Sequence, residues 1–156
     1  MNSPYKPPGA RVRDPRTNER GPTWKAITLG LATDVGGTMV FSTIASLVLS
    51  IAMAAQGLSE AQMVATFATA PYQVFGLFTG AAFTGLGGYV AARVANHLEY
   101  RHGLYLGLAS LLLGEAIVQL SGADAEIWLR IASVILALPV AVIGAHLRVK
   151  QKRAEG

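Results

Sequence analysis

Residues 23–55 read TWKAITLGLATDVGGTMVFSTIASLVLSIAMAA. After Lys25 the stretch carries a single charge, Asp34; every other residue is apolar, glycine or hydroxyl-bearing. As an α-helix rising 1.5 Å per residue it would measure on the order of 45–50 Å, against a hydrocarbon core of about 30 Å. A helix this long and apolar belongs in a bilayer, where it must tilt, protrude or bend. Gly36-Gly37 is the expected bend. Thr23 is the expected N-cap, and Trp24 and Lys25 suit the membrane interface.

Three more apolar runs follow, so that spans are expected at approximately 24–55, 72–96, 103–120 and 125–148. The basic residues lie between them. Of 13 Lys and Arg, six fall before or at the start of the first span (Lys6, Arg11, Arg13, Arg16, Arg20, Lys25). Arg93 and Arg101 flank the second turn, and Arg148, Lys150, Lys152 and Arg153 close the chain; Arg130 alone falls elsewhere. Basic segments next to span ends are retained in the cytoplasm. The expected architecture is therefore an all-α membrane protein, a four-transmembrane-helix bundle with both termini cytoplasmic.

Composition agrees with this reading. At 52% hydrophobic and 14% charged, with 17 glycines in 156 residues, the chain is too apolar for an ordinary soluble domain. A net charge of +4 invites a nucleic-acid reading, but the basic residues sit in a polar arm, short turns and span ends. No nucleic-acid partner is expected. Cysteine is absent, which removes disulfides and thiolate metal sites. Residues 1–22, MNSPYKPPGARVRDPRTNERGP, hold four prolines before residue 20, where a signal peptide would place its apolar core. This arm is expected to be disordered and cytoplasmic, and residues 150–156 to form a basic tail.

Between the first two spans, Ser59-Glu60-Ala61-Gln62 has the form of a capping box. It predicts a short helix carrying Met63, Val64 and Phe67, lying along the outer interface. Pro71 suits the first turn of span two, Pro139 suggests a kink in span four, and Asp124 is the expected cap of that span. Arg93, His97, Glu99, Arg101 and His102 are expected in a cytoplasmic turn.

Small residues recur every four positions: Gly30, Asp34, Thr38, Ser42, Ser46 and Ser50; then Gly76, Gly80, Thr84, Gly88 and Ala92. Spans three and four carry similar rows at Gly103, Gly107, Ser110 and Gly114, and at Ser133, Ala137, Ala141 and Ala145. Helices in lipid associate through close backbone approach and interhelical hydrogen bonds, which such rows permit. They predict a compact bundle, with a second copy of the chain or another membrane protein as candidate partners beside the lipid bilayer.

Two acids lie within the spans. Asp34, about 14 Å along the helix from Lys25, costs roughly 2.5–3.5 kcal/mol to insert unless it is paired or protonated. Arg93 and His146 are its candidate partners in a structural link; a proton or cation site is the functional alternative. Glu115 has an evident partner. In a hairpin turning near residues 122–123 it lies level with Arg130, and Gln119, one helical turn away, can add a hydrogen bond.

Little else carries chemistry. His97, Glu99 and His102 lack zinc spacing. GLGGYV at 85–90 lies in a span, so it is no nucleotide loop. No serine has the partners of a nucleophilic triad. Neither enzyme activity, a metal nor a cofactor is expected.

At TDVGG (33–37), at GGYVAAR (87–93) and at Arg101-His102-Gly103 the chain resembles small four-span bacterial inner-membrane proteins of uncharacterised activity. That resemblance covers the spans and implies a multi-pass protein of the bacterial cytoplasmic membrane. Span one is also loosely similar to small multidrug resistance transporters, which place a carboxylate in the first of four spans. The basic arm and the histidine-containing turn depart from those transporters. The leading functional expectation is a non-enzymatic structural or interaction component packing through glycine-rich faces. The alternative is a small proton-coupled transporter or channel, acting as an oligomer with Asp34 as the titrating group.

Overall fold

A computed structural model describes residues 20–121 and 126–155, and its regular structure is all helical among the described residues. The first span is α1 (Thr23–Leu31), a π-helical turn (Ala32–Gly36) and α2 (Gly37–Ala55). A short α3 (Glu60–Phe67) leads to α4 (Ala70–Ala95), α5 (Glu99–Ser121) and α6 (Ile127–Ala154). Four helical stretches, Thr23–Ala55, Ala70–Ala95, Glu99–Leu120 and Ile127–Ala154, are long and apolar enough to cross a membrane. They are compatible with a multi-pass membrane protein.

Local chemistry sets most of the boundaries. Gly57 takes φ +80 and ends the turn after α2. The Ser59–Gln62 capping box forms at the start of α3: Gln62 N–H donates to Ser59 Oγ, and Ser59 N–H donates to Gln62 Oε1 at 2.8 Å. Pro71 occupies the first turn of α4, where its missing N–H costs nothing.

Five boundaries differ from expectation. Pro22, not Thr23, is the N-cap of α1, and Thr23 is its first helical residue. The irregularity expected at Gly36-Gly37 is instead a π turn that begins at Ala32 and contains Asp34. Helix α5 begins at Glu99 rather than near Gly103, because Asn96 (φ 54) and Leu98 (φ 46) reverse the chain within three residues. Helix α6 runs on to Ala154 and takes in most of the basic tail. The N-cap of α6 is Glu126 rather than Asp124. Nearly all of the 1–22 arm, the Gly122-Ala123 turn and Asp124 itself lie outside the described residues.

The centre of the bundle is α4, which packs against α1, α5 and α6, while α5 also packs along α6. Its core is built from small side chains: Ala26, Ala91, Ala92, Ala95, Ala141 and Ala145 are fully buried, with Leu106 the large residue among them. Lipid offers no hydrophobic drive for helix association, so dispersion between closely placed backbones must supply it. At the α4–α6 crossing Gly88 abuts the Ala141 carbonyl and Gly144 abuts the Gly85 carbonyl, so close that a β-carbon on either glycine would overlap the facing backbone.

Helix α2 packs differently, chiefly on α4 and through aromatic rings. Phe41 lies 6.0 Å from Phe83 and 6.3 Å from Phe75, and the Ser46 and Tyr72 hydroxyls are 2.5 Å apart. Its other face, with Val40, Ile44, Leu47, Val48 and Ile51, is exposed.

One end of the bundle gathers the start of α1, the α4–α5 turn and the end of α6. Gly21 N–H donates to Ala95 O at 2.9 Å, and Lys152 Nζ donates to Glu99 at 3.0 Å and to Asn96 O at 3.2 Å. The His102 Nε2 and Thr23 Oγ1 atoms are 3.2 Å apart, which ties α5 to α1. Arg20, Lys25, Arg93, Arg101, Arg148, Lys150 and Arg153 belong to this end; Arg130 and α3 belong to the other.

Candidate functional site

Asp34, Thr84 and Ser110 each lie eleven residues from the basic end of their helical segment, counted from Thr23, Ala95 and Glu99. Equal rise per residue therefore puts all three at one depth, about 16 Å in. The π turn opens the first span by one residue at this level, and such turns recur at functional sites. Gly87 brings α4 close enough to matter: a β-carbon there would come within 2.7 Å of the Gly30 carbonyl oxygen and 3.0 Å of Asp34 Cβ. Across this close approach Thr84 Oγ1 donates to Asp34 Oδ1 at 3.0 Å, and Ser110 Oγ donates to Asp34 Oδ2.

Asp34 is buried, at 5% exposure. Each of its carboxylate oxygens accepts a hydroxyl proton, an arrangement suited to the charged acid because both oxygens act as acceptors. Thr38 stands one helical turn beyond, and its buried hydroxyl has no protein hydrogen-bond partner among the described residues.

These four oxygen-bearing side chains line one end of a cavity of about 760 Å³ between α2, α4, α5 and α6. Glu115 and Arg130 also line it, and Glu115 is five residues beyond Ser110, or about 8 Å along α5. Most of the remaining wall is apolar, including Val35, Leu77, Leu111 and Ala137. Gly76, Gly80 and Gly114 face it as well, and a β-carbon on any of them would meet nothing within 4 Å. The glycines of α4 thus divide: Gly87 and Gly88 bring backbones together, while Gly76 and Gly80 leave space.

Neither candidate partner of Asp34 reaches it. Ion pairs among the described residues are Arg130–Glu115, Arg148–Glu155 and Lys152–Glu99. Arg93 is nine residues from Thr84, which at 100° per residue turns it to the opposite face of α4, where it is exposed. His146 stands level with Tyr100, its Nδ1 lying 2.9 Å from the Tyr100 hydroxyl. Tyr100 is ten residues from Ser110, about 15 Å along α5. Two hydroxyls hold Asp34 where a cation was expected.

The outer acid does meet its expected neighbours. Arg130 Nη2 donates to Glu115 Oε1, and Gln119 Nε2 donates to the same oxygen at 2.8 Å. At the basic end, Glu99 is engaged by Lys152, His97 Nδ1 lies 2.7 Å from Ala95 O, and His102 lies between Leu98 O and Thr23. Among the described residues no group of three His, Cys, Asp or Glu side chains is placed to hold a metal.

Thr84, Ser110 and Thr38 all occur in the small-residue rows of the sequence, where Thr84 and Ser110 read as packing positions and Thr38, with the other hydroxyls of the first span, as packing or as part of a polar path. Their signal was the hydroxyl: two of the row positions that carry one, Thr84 and Ser110, meet on the one acid of the first span, and Thr38 lines the same cavity. Comparison with family models, curated proteins and solved structures finds no match to this chain.

Proposed function

We propose that this is a non-enzymatic multi-pass protein of a bacterial cytoplasmic membrane, with both termini in the cytoplasm, working as a small ion-linked transporter or channel around Asp34. One observation carries the reading: a buried carboxylate, without a cationic partner among the described residues, at the end of a cavity of about 760 Å³. Acids within a membrane are costly and mark ion and substrate paths. The orientation rests on the basic residues gathered at one end of the bundle, and the resemblance to small four-span bacterial proteins points to the same membrane. Helix α3, at the other end, would then lie along the outer interface.

Liposomes test the activity. With an imposed membrane potential, purified wild-type protein should carry proton or alkali-cation flux, and Asp34→Asn should abolish it. Flux that is absent, or equal in the variant, removes the transport reading.

A second reading is an interaction component that docks a second copy or another membrane protein. The exposed apolar face of α2, from Val40 to Ile51, favours it. The glycines of α4 support it less, because Gly87 and Gly88 face helices of the same chain and Gly76 and Gly80 face the cavity.

A further inference from the structure

We infer that Asp34, Thr38, Thr84 and Ser110 form a binding site for a small monovalent metal cation of sodium size, a deepening of the proposed function that rests on Asp34 as its working group. The argument begins with lone pairs. A hydroxyl has one proton to donate and two lone pairs to offer. Thr84 and Ser110 direct their protons at Asp34, one to each oxygen, so their lone pairs are left for another partner. Thr38 lines the same cavity, and its buried Oγ1 has no protein partner among the described residues. The result is a set of oxygens from three separate helical spans, with no nitrogen or sulfur ligand among them.

Oxygen-only donors select hard cations, and charge selects the valence. The set carries one negative charge, from Asp34. A monovalent ion neutralises it in the low-dielectric interior, whereas Mg²⁺ or Ca²⁺ would leave a net positive charge there and would demand more carboxylates or waters. Size follows from the donor type. Potassium sites in channels are rings of many backbone carbonyls, whereas a few compact hydroxyl and carboxylate oxygens can close around a smaller ion. The π turn gives independent support, because it interrupts the regular helix at Asp34 itself. Irregular backbone at membrane depth is a recurring feature of sites that hold sodium or protons.

The test is thermal unfolding of the purified full chain in detergent, at constant ionic strength, in sodium, lithium, potassium or choline chloride. Sodium and lithium should raise the melting temperature by roughly 5–10 °C at saturation, and potassium and choline should not. Asp34→Asn should abolish the sodium effect. Because that substitution also disturbs two interhelical hydrogen bonds, Thr38→Val is the second arm. It removes one ligand oxygen that makes no protein hydrogen bond, so it should weaken sodium affinity about tenfold, while the melting temperature in choline should not fall and should rise if the hydroxyl is left unsatisfied without the ion. Equal stabilisation by choline, or an undiminished sodium response in Thr38→Val, overturns the site. Stability that follows pH but not sodium overturns it too, and leaves transport to protons. Sodium-specific stabilisation without flux in liposomes upholds the site and removes the transport reading.

Discussion

Gly144 of α6 packs directly against the carbonyl oxygen of Gly85 in α4, with no room for a β-carbon between the two backbones. A methyl group there must push the helices apart, and overpacking of this kind costs about 1–3 kcal/mol. Gly144→Ala and Gly88→Ala should therefore lower the melting temperature in detergent. Gly80→Ala should be neutral or mildly stabilising, by up to ~1 kcal/mol, because alanine is the better helix former and a β-carbon at Gly80 meets nothing within 4 Å. The same substitution thus has opposite outcomes within one glycine row. Similar losses at Gly80 and Gly88 would show that the cavity is not open on α4.

Glu115 and Arg130 make an ion pair between α5 and α6, with Gln119 on the same carboxylate oxygen. Removing one partner leaves the other charge unpaired between the two helices. Glu115→Gln and Arg130→Gln should each destabilise the protein more than the double substitution does, with a coupling on the order of 1 kcal/mol by double-mutant cycle. Strictly additive losses would mean that the two side chains do not depend on each other.

The four spans were legible in the sequence because length and hydropathy alone decide them, and the Ser59–Gln62 capping box was legible because it is a local hydrogen-bond pattern. Helix ends near the basic turn were not. Asn96 and Leu98 take positive φ, which permits a three-residue reversal that neither residue type demands. Asp34 meets hydroxyls rather than Arg93 or His146 for a related reason: helical phase and the true helix ends, not charge and approximate depth, decide which side chains meet. Counting eleven residues from each span end would have put Thr84 and Ser110 level with Asp34, but only once the turn was known to be short. The Glu115–Arg130 pairing needed no such knowledge, since both residues are counted from the same hairpin.

Topology can be read by labelling, and the absence of cysteine makes the chain well suited to it. Single cysteines at the exposed positions Gln56 and Lys150 would stand at opposite ends of the bundle. With a membrane-impermeant maleimide added to intact cells whose outer barrier is permeabilised, Gln56→Cys should react. Lys150→Cys should react only after lysis. Labelling of Lys150→Cys in intact cells would reverse the orientation inferred from the basic residues.

Asp34 gives a direct contest between charge and hydroxyl pairing. If its carboxylate depends on Ser110 and Thr84, Ser110→Ala should cost about 1.5–3 kcal/mol, the usual range for a hydrogen bond to a charged group. Thr84→Val should cost a comparable amount. Arg93→Gln, on the opposite exposed face of α4, should stay within about 0.5 kcal/mol of wild type. In an Asp34→Asn background the Ser110→Ala cost should shrink, because an amide group has only one acceptor oxygen for the two hydroxyls. A large loss at Arg93 with none at Ser110 would restore the ion-pair account of the buried acid. It would also remove the hydroxyl set on which the cation site depends, since those oxygens converge only if Ser110 and Thr84 are held on the carboxylate.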